Sequence, residues 1–215
     1  RIVPASSRCS AIVPVFAPDY RRFVLSADGA RQEFCVHDYA ARLWRQQSGR
    51  SDAIPKALVT AAELSIETHL AMLDFEPEIV IASYHGIPQS YARRGDPYPE
   101  QCHETSRLLR ERLGWDEKRL MTCFQSRFGP EEWLQPYTDK TLEKLAKEGV
   151  ESVAVLNPGF VSDCLETLEE IAVQGQETFH HAGGKNFSHI PCLNDSAEGM
   201  AVIEALVKRE LAGWA

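Results

Sequence analysis

Two groups of side chains in this sequence have the types and spacing to do chemistry. The first is the imidazole of His85 in Ser83-Tyr84-His85-Gly86-Ile87-Pro88, where an apolar run stops and turn residues begin. A histidine titrates near neutrality and can serve as a base or as a metal ligand. On position alone, a hydrogen-bonded loop histidine is an equal reading. The second group is Glu166, Glu170 and Gln174, spaced four apart. On an α-helix they form one polar stripe, with Leu165, Leu168, Ile171 and Ala172 placed elsewhere to pack. Like charges at this spacing cost only a few tenths of a kcal/mol in a solvated helix, so a solvent-facing acidic face competes with a functional one. If the imidazole and the Glu166 carboxylate meet across a cleft, the pair suits a hard-to-borderline divalent ion such as Fe²⁺. Two ligands leave most coordination positions open, which fits a site that hands a metal on and fits storage badly.

The elements around these residues decide whether they can meet. Ile79-Val80-Ile81-Ala82 reads as a buried parallel strand, with His85 at its carboxyl end. Before it, Leu58, Ala61, Leu64, Ile66, Leu70 and Leu73 recur at near-helical spacing from Ala57, and Asp74-Phe75-Glu76-Pro77 ends that helix. After it, Gly95-Asp96-Pro97-Tyr98-Pro99 opens a helix that turns Cys102, Leu108, Leu109 and Leu113 inward and stops at Gly114. The pattern then repeats. Strands are expected at 120–125, 153–157 and 187–190, and helices at 138–148, about 163–179 and 197–211. Strands alternating with long helices require right-handed crossovers and a parallel sheet covered on both faces. The expected fold is α/β, a Rossmann-like or flavodoxin-like parallel four-stranded sheet. Ligands bind such sheets at the carboxyl ends of the strands. His85, Gln125-Ser126-Arg127 and Asn157-Pro158-Gly159-Phe160 should therefore face one another.

Residues 1–60 are read as a divergent arm or a domain remnant, and 61–215 as the α/β domain. Within the arm, Ile12–Phe16 and Arg22–Leu25 could be strands, although Pro4, Pro14 and Pro18 demote the first. Gln46–Asp52 is a polar break. Across the 215 residues, 44% are hydrophobic and 25% charged, a globular composition. The net charge of -8 argues against a nucleic-acid partner. No apolar run reaches membrane-spanning length and no signal-peptide order is visible, so the expected compartment is the cytosol. Six scattered cysteines without Cys-x-x-Cys fit reduced, mostly buried thiols rather than a disulfide framework, a zinc knuckle or an iron–sulfur cluster.

At the level of motifs the chain resembles the ferrochelatases. The resemblance is carried by Ser83–Pro88, Arg94-Gly95-Asp96-Pro97-Tyr98-Pro99, Phe124-Gln125-Ser126-Arg127-Phe128-Gly129, Trp133-Leu134, Pro136-Tyr137-Thr138-Asp139, Pro158–Glu170 and Pro191-Cys192-Leu193-Asn194-Asp195. These blocks arrive in the family's order from roughly 64 to 213. The resemblance implies insertion of Fe²⁺ into a porphyrin, protoporphyrin IX or coproporphyrin, to make haem. It assigns His85 and Glu166 to metal binding and to removal of the pyrrole protons. It further places Glu170 and Gln174 on a relay for metal or protons, and sets Trp133 near the macrocycle. On the residue alone, Trp133 also reads as a core tryptophan. Fe²⁺ is then substrate, with no organic cofactor and no iron–sulfur cluster. The expected partners are porphyrin and Fe²⁺, without nucleic acid or a transmembrane segment; peripheral membrane association and oligomeric state stay open. Residues 1–60 lack the family's porphyrin-gripping loop and Tyr-Pro-Gln-Tyr-type segment, so the chain reads as a truncated or frame-altered member. A chelatase for another tetrapyrrole or for Co²⁺, and a non-catalytic fragment, are the alternatives.

Overall fold

The computed structural model describes residues 23–25, 32–34 and 53–211. Strand β1 (Phe23–Leu25) pairs antiparallel with β2 (Gln32–Phe34), in register Phe23↔Phe34. The strand expected over Arg22–Leu25 thus occurs as β1, while Ile12–Phe16 and Gln46–Asp52 lie outside the described residues. Helix α1 (Ala53–Ala71) leads into β3 (Ile79–His85). A short α2 (Gln89–Ala92) and then α3 (Tyr98–Leu113) follow, and β4 (Leu120–Gln125) succeeds them. Gly114 caps α3 in the left-handed region at φ 67°, where a side chain would be strained. Next come α4 (Thr138–Lys147) and β5 (Ser152–Leu156). The helical run over 165–181 divides into α5 (Leu165–Thr167), a π-helical segment Leu168–Gly175, and α6 (Gln176–His181). Strand β6 (Asn186–His189) and α7 (Ala197–Glu210) close the domain.

Strands β3 to β6 form one parallel sheet in the order β4-β3-β5-β6. The chain steps outward from β3 to β4 and then returns to the opposite side of β3 for β5. Such a reversal opens a crevice between the two carboxyl ends, here those of β3 and β5. Strand parity assigns the faces. Val80, Ala82, Tyr84, Phe124, Ala154 and Leu156 belong to a core that includes α1 and α3. Ile81, Cys123, Val153 and Val155 belong to the opposite core, with Leu142 of α4, Ile171 of the π segment and Phe179 of α6. By the same alternation, His85 and Gln125 share the face of Ile81 and Cys123, and so face α4 and the run over 165–181.

Two sequence expectations shift. The first helix begins at Ala53, and its buried side chains are Val59, Ala61 and Ile66, whereas Leu64 is exposed. The helix expected as α over about 163–179 is π through its middle, and Leu165 and Leu168 are 73% and 50% exposed instead of packing. Among the described residues, Cys102, Cys123 and Cys192 are buried, Cys164 is partly buried, and all four are free thiols. No helix among the described residues is long and apolar enough to cross a membrane.

Candidate functional site

His85 is the last residue of β3 and is 6% exposed. Its Nδ1 lies 2.7 Å from the Gly86 carbonyl oxygen. A carbonyl can only accept, so Nδ1 carries the proton, and in the neutral ring Nε2 holds the basic lone pair. The backbone is held as well, because Tyr98 Oη donates to the His85 carbonyl at 2.8 Å. Burial pulls the imidazole below its usual titration range; the Gly86 bond and the Glu170 and Glu166 carboxylates pull the other way. The ring is neutral near pH 7, yet two carboxylates stand ready to stabilise its charged form.

The position of His85 depends on a close approach by the following residue. The Gly86 amide donates to the Gln125 carbonyl at 2.8 Å, which ties the end of β3 to the end of β4. A Cβ at Gly86 would lie 2.9 Å from that same carbonyl oxygen and 3.3 Å from the Trp133 ring. Only glycine fits there without a shift.

Trp133 lies between β4 and α4 and is 6% exposed, its indole N–H donating to the Phe128 carbonyl at 2.8 Å. Its ring centroid is 6.4 Å from that of His85, and Phe160 flanks the imidazole at 6.3 Å. Trp133 is thus a buried tryptophan packed beside the imidazole.

The acidic run divides by environment. Glu166 is partly buried in the first turn of α5, where a carboxylate is favoured by the helix's amino end. Glu170 is held at the tip of β4: the Ser126 amide donates to one carboxylate oxygen at 2.6 Å, and Ser126 Oγ donates to the other at 2.6 Å. Ser126 achieves this with φ 62°, a left-handed conformation uncommon for a non-glycine residue. Gln174 is exposed and contacts Glu169. The solvated-face alternative therefore holds for Gln174 and fails for Glu170.

Beneath these groups lies a buried polar network built from strand ends. Asn157 Nδ2 donates to the Ser83 carbonyl at 3.2 Å and to Gln125 Oε1 at 2.6 Å. Ser83 Oγ donates to Gln125 Oε1 at 2.7 Å, and Thr138 Oγ1 lies 2.7 Å from the same hydroxyl. Gln125 Nε2 donates to the Glu166 carbonyl at 2.7 Å and approaches Glu170 Oε2 at 3.5 Å. His189 Nε2 meets Asn157 Oδ1 at 3.1 Å. Burial also lowers the pKa of His189, opposed by Asp163.

Two surfaces of different character lie around the strand ends. A polar cleft of about 290 Å³ is lined by Gln125, Ser126, Arg127, Asp139, Glu170 and Gln174, among others. Arg127 and Asp139 form a two-pronged ion pair there at 2.9 and 2.8 Å. By contrast, Phe128, Val161, Leu165 and Leu168, on the loops and the helix start around the strand ends, are exposed apolar groups. Sequence reasoning named His85, Glu166 and Trp133 and placed the segments after β4 and β5 in the crevice. It missed Tyr98, whose hydroxyl reaches back from the next helix, and the clamp of Ser126 on Glu170, for which sequence spacing carries no signal.

Comparison with known proteins identifies the family. The sequence model of the ferrochelatase family matches residues 54–211. A ferrochelatase from Chelativorans sp. (strain BNC1) is 75% identical over 157 residues, which cover 73% of this chain and 44% of that protein. A ferrochelatase from Mesorhizobium japonicum is 70% identical over 156 residues, with the same two coverages. Among solved structures, SirB from Bacillus subtilis with Fe³⁺ superposes with a TM-score of 0.50 at 16% identity, covering 87% of this chain and 68% of that one. At that identity the likeness speaks for the fold. The chain spans less than half the length of the curated relatives it matches. With the family model matching residues 54–211, most of the chain, this chain belongs to the ferrochelatase family.

Proposed function

We propose that the chain carries the metal-inserting half of a ferrochelatase, acting on Fe²⁺ and a porphyrin to form haem. The observation that carries this reading is the neutral, buried His85, with its basic nitrogen on the ring edge away from Gly86 and two carboxylates acting on it from one helix. Metallation must remove two pyrrole protons while the metal exchanges its ligands for ring nitrogens. A base near neutrality beside a weak, open N/O metal site suits both tasks. In this scheme His85 Nε2 and Glu166 hold the incoming ion; as the ion passes to the ring nitrogens, the vacated Nε2 accepts one pyrrole proton and the Glu166 carboxylate the other, with Glu170 stabilising the imidazolium. The exposed Phe128, Val161, Leu165 and Leu168 and the partly buried Phe160 offer apolar surface for a flat macrocycle, with Trp133 behind the imidazole. Binding energy from that periphery can hold the ring distorted for metal entry. SirB, described with Fe³⁺, is a chain of this fold associated with an iron ion. The scheme uses neither an organic cofactor nor an iron–sulfur cluster.

The proposed organisation is an arm over 1–60 followed by a chelatase domain over 61–215, in the cytosol. One observation favours a second reading, a module that binds porphyrin or metal without turnover: the match covers 44% of each of two curated relatives.

A continuous assay of metalloporphyrin formation on this chain separates the two readings. Under the first, His85→Ala and Glu166→Gln each reduce insertion by about 100-fold or more, within the range that a positioned base contributes. The double variant loses little beyond either single one, because both residues serve one step. Porphyrin binding, followed by fluorescence quenching, persists in all three. Wild-type insertion in either single variant would overturn the assignment, and porphyrin binding without insertion in the unaltered chain would favour the module.

A further inference from the structure

The carboxamide of Gln125 has one possible orientation, and the reason lies in three strands. Gln125 is 4% exposed, at the carboxyl end of β4. The Asn157 amide group is fixed first, since its Nδ2 donates to the Ser83 carbonyl, which can only accept. The same Nδ2 then donates to Gln125 Oε1, as does the Ser83 hydroxyl. With Oε1 committed to two donors, the Gln125 amino group must turn toward the helical run, where it meets a second acceptor-only group, the Glu166 carbonyl, and approaches Glu170. Backbone carbonyls anchor both ends of this chain of bonds, so its polarity cannot reverse. We propose that Gln125 is a positioning residue. Its locked amide ties the start of the acidic helix to the sheet and so sets where Glu166 and Glu170 stand relative to His85, with Asn157 acting through it. The metal-related part rests on the reading of His85 and Glu166 as the metal-accepting pair.

Two variants test it in the full chain. Gln125→Met keeps the approximate volume and removes both amide donors. Ser83 Oγ keeps Thr138 Oγ1 as a partner and Asn157 keeps the Ser83 carbonyl, so each group in the layer retains a bond. Asn157→Asp leaves Gln125 in place but sets an acceptor against Oε1, which favours the flipped amide. The first readout needs no metal: amide hydrogen exchange over 165–175 should quicken by about ten-fold or more in both variants, with the strand amides of β3 to β5 unchanged. Adding Asn157→Asp to Gln125→Met should quicken it little further. The second readout is titration with Co²⁺ alone, in which each variant should weaken affinity by about 10-fold to 100-fold, as expected when the support of a ligand is removed. Unchanged exchange over 165–175 overturns the proposal, and so does a loss of protection that spreads through the strands. His85→Ala and Glu166→Gln are the controls. If neither weakens Co²⁺ binding, or the unaltered chain binds none, the pair reading fails, while the exchange result still decides the role of Gln125.

Discussion

An imidazole whose Nδ1 proton is engaged by a backbone carbonyl has its chemistry confined to Nε2, and in this chain that confinement hangs on a single missing methyl group. Gly86 accepts from the ring through its carbonyl and donates to β4 through its amide, so any displacement of Gly86 displaces the histidine. Gly86→Ala would press a Cβ against the Gln125 carbonyl at 2.9 Å, a backbone atom that cannot swing aside. We expect a loss of about 1–3 kcal/mol in stability, the usual cost of overpacking. We further expect a fall in metal affinity larger than that stability loss explains, because the strain sits on the residue proposed as a ligand. Urea denaturation together with Co²⁺ titration of the same variant measures both quantities, and unaltered values in both would show that the strand end can give way. At this scale the sequence was legible for His85, because an abrupt change from apolar to turn residues marks a strand end. It was silent on Ser126, whose two hydrogen bonds to the Glu170 carboxylate depend on a partner 44 positions away.

The helical run over 165–181 shows where periodicity misleads. Spacing by four placed Glu166, Glu170 and Gln174 on one stripe, but the π geometry of Leu168–Gly175 takes more residues per turn and redistributes the side chains. Leu165 and Leu168, expected to pack, are exposed, while Ile171 reaches the core as expected. The strands were more readable, since alternation by two has no comparable drift. Two glycines along this stretch separate local propensity from crowding. Gly175 has helical φ -62° and room for a Cβ at ordinary contact distance, nearest Leu142 Cδ1 at 3.4 Å. Gly175→Ala should stabilise the domain by about 0.4–1 kcal/mol through the unfolded chain's lost freedom. Gly184, after α6, would set its Cβ 2.2 Å from the fully buried Phe179 ring. Gly184→Ala should cost about 1–3 kcal/mol or more, as the ring has nowhere to move. Thermal midpoints of the two variants should move in opposite directions, and a shared direction would show that the packing is looser than the distances indicate.

Across the whole domain, three imidazoles, His69, His85 and His189, share one electrostatic situation. Burial is the leading cause that lowers each of their pKa values below 6.5. Between the lowered folded values and the unfolded value, the unfolded chain binds more protons. Stability is therefore fully present above about pH 6.5 and declines as pH falls through the folded values. Denaturation curves taken from about pH 8 to about pH 5 should show a plateau and then a fall beginning near pH 6.5. A flat profile down to about pH 5 would mean that these rings protonate without cost. The architecture of the domain was legible because four strand-and-helix repeats each announce themselves locally. The proposed division at residue 60 falls within α1, which runs from Ala53 to Ala71.

The polar layer across the strand ends also bears on how the chain reaches its folded state. Its bonds join residues 42, 32 and 32 positions apart, from Ser83 to Gln125, Gln125 to Asn157 and Asn157 to His189. None can form by local collapse. Each requires a crossover to be complete and two parallel strands to be in register, and such long-range closures are the slow part of folding. A helix-rich intermediate would hold His85 and Glu166 in the same molecule without bringing them together. On the proposed reading of His85 and Glu166, binding of a metal ion requires all of these closures to be complete.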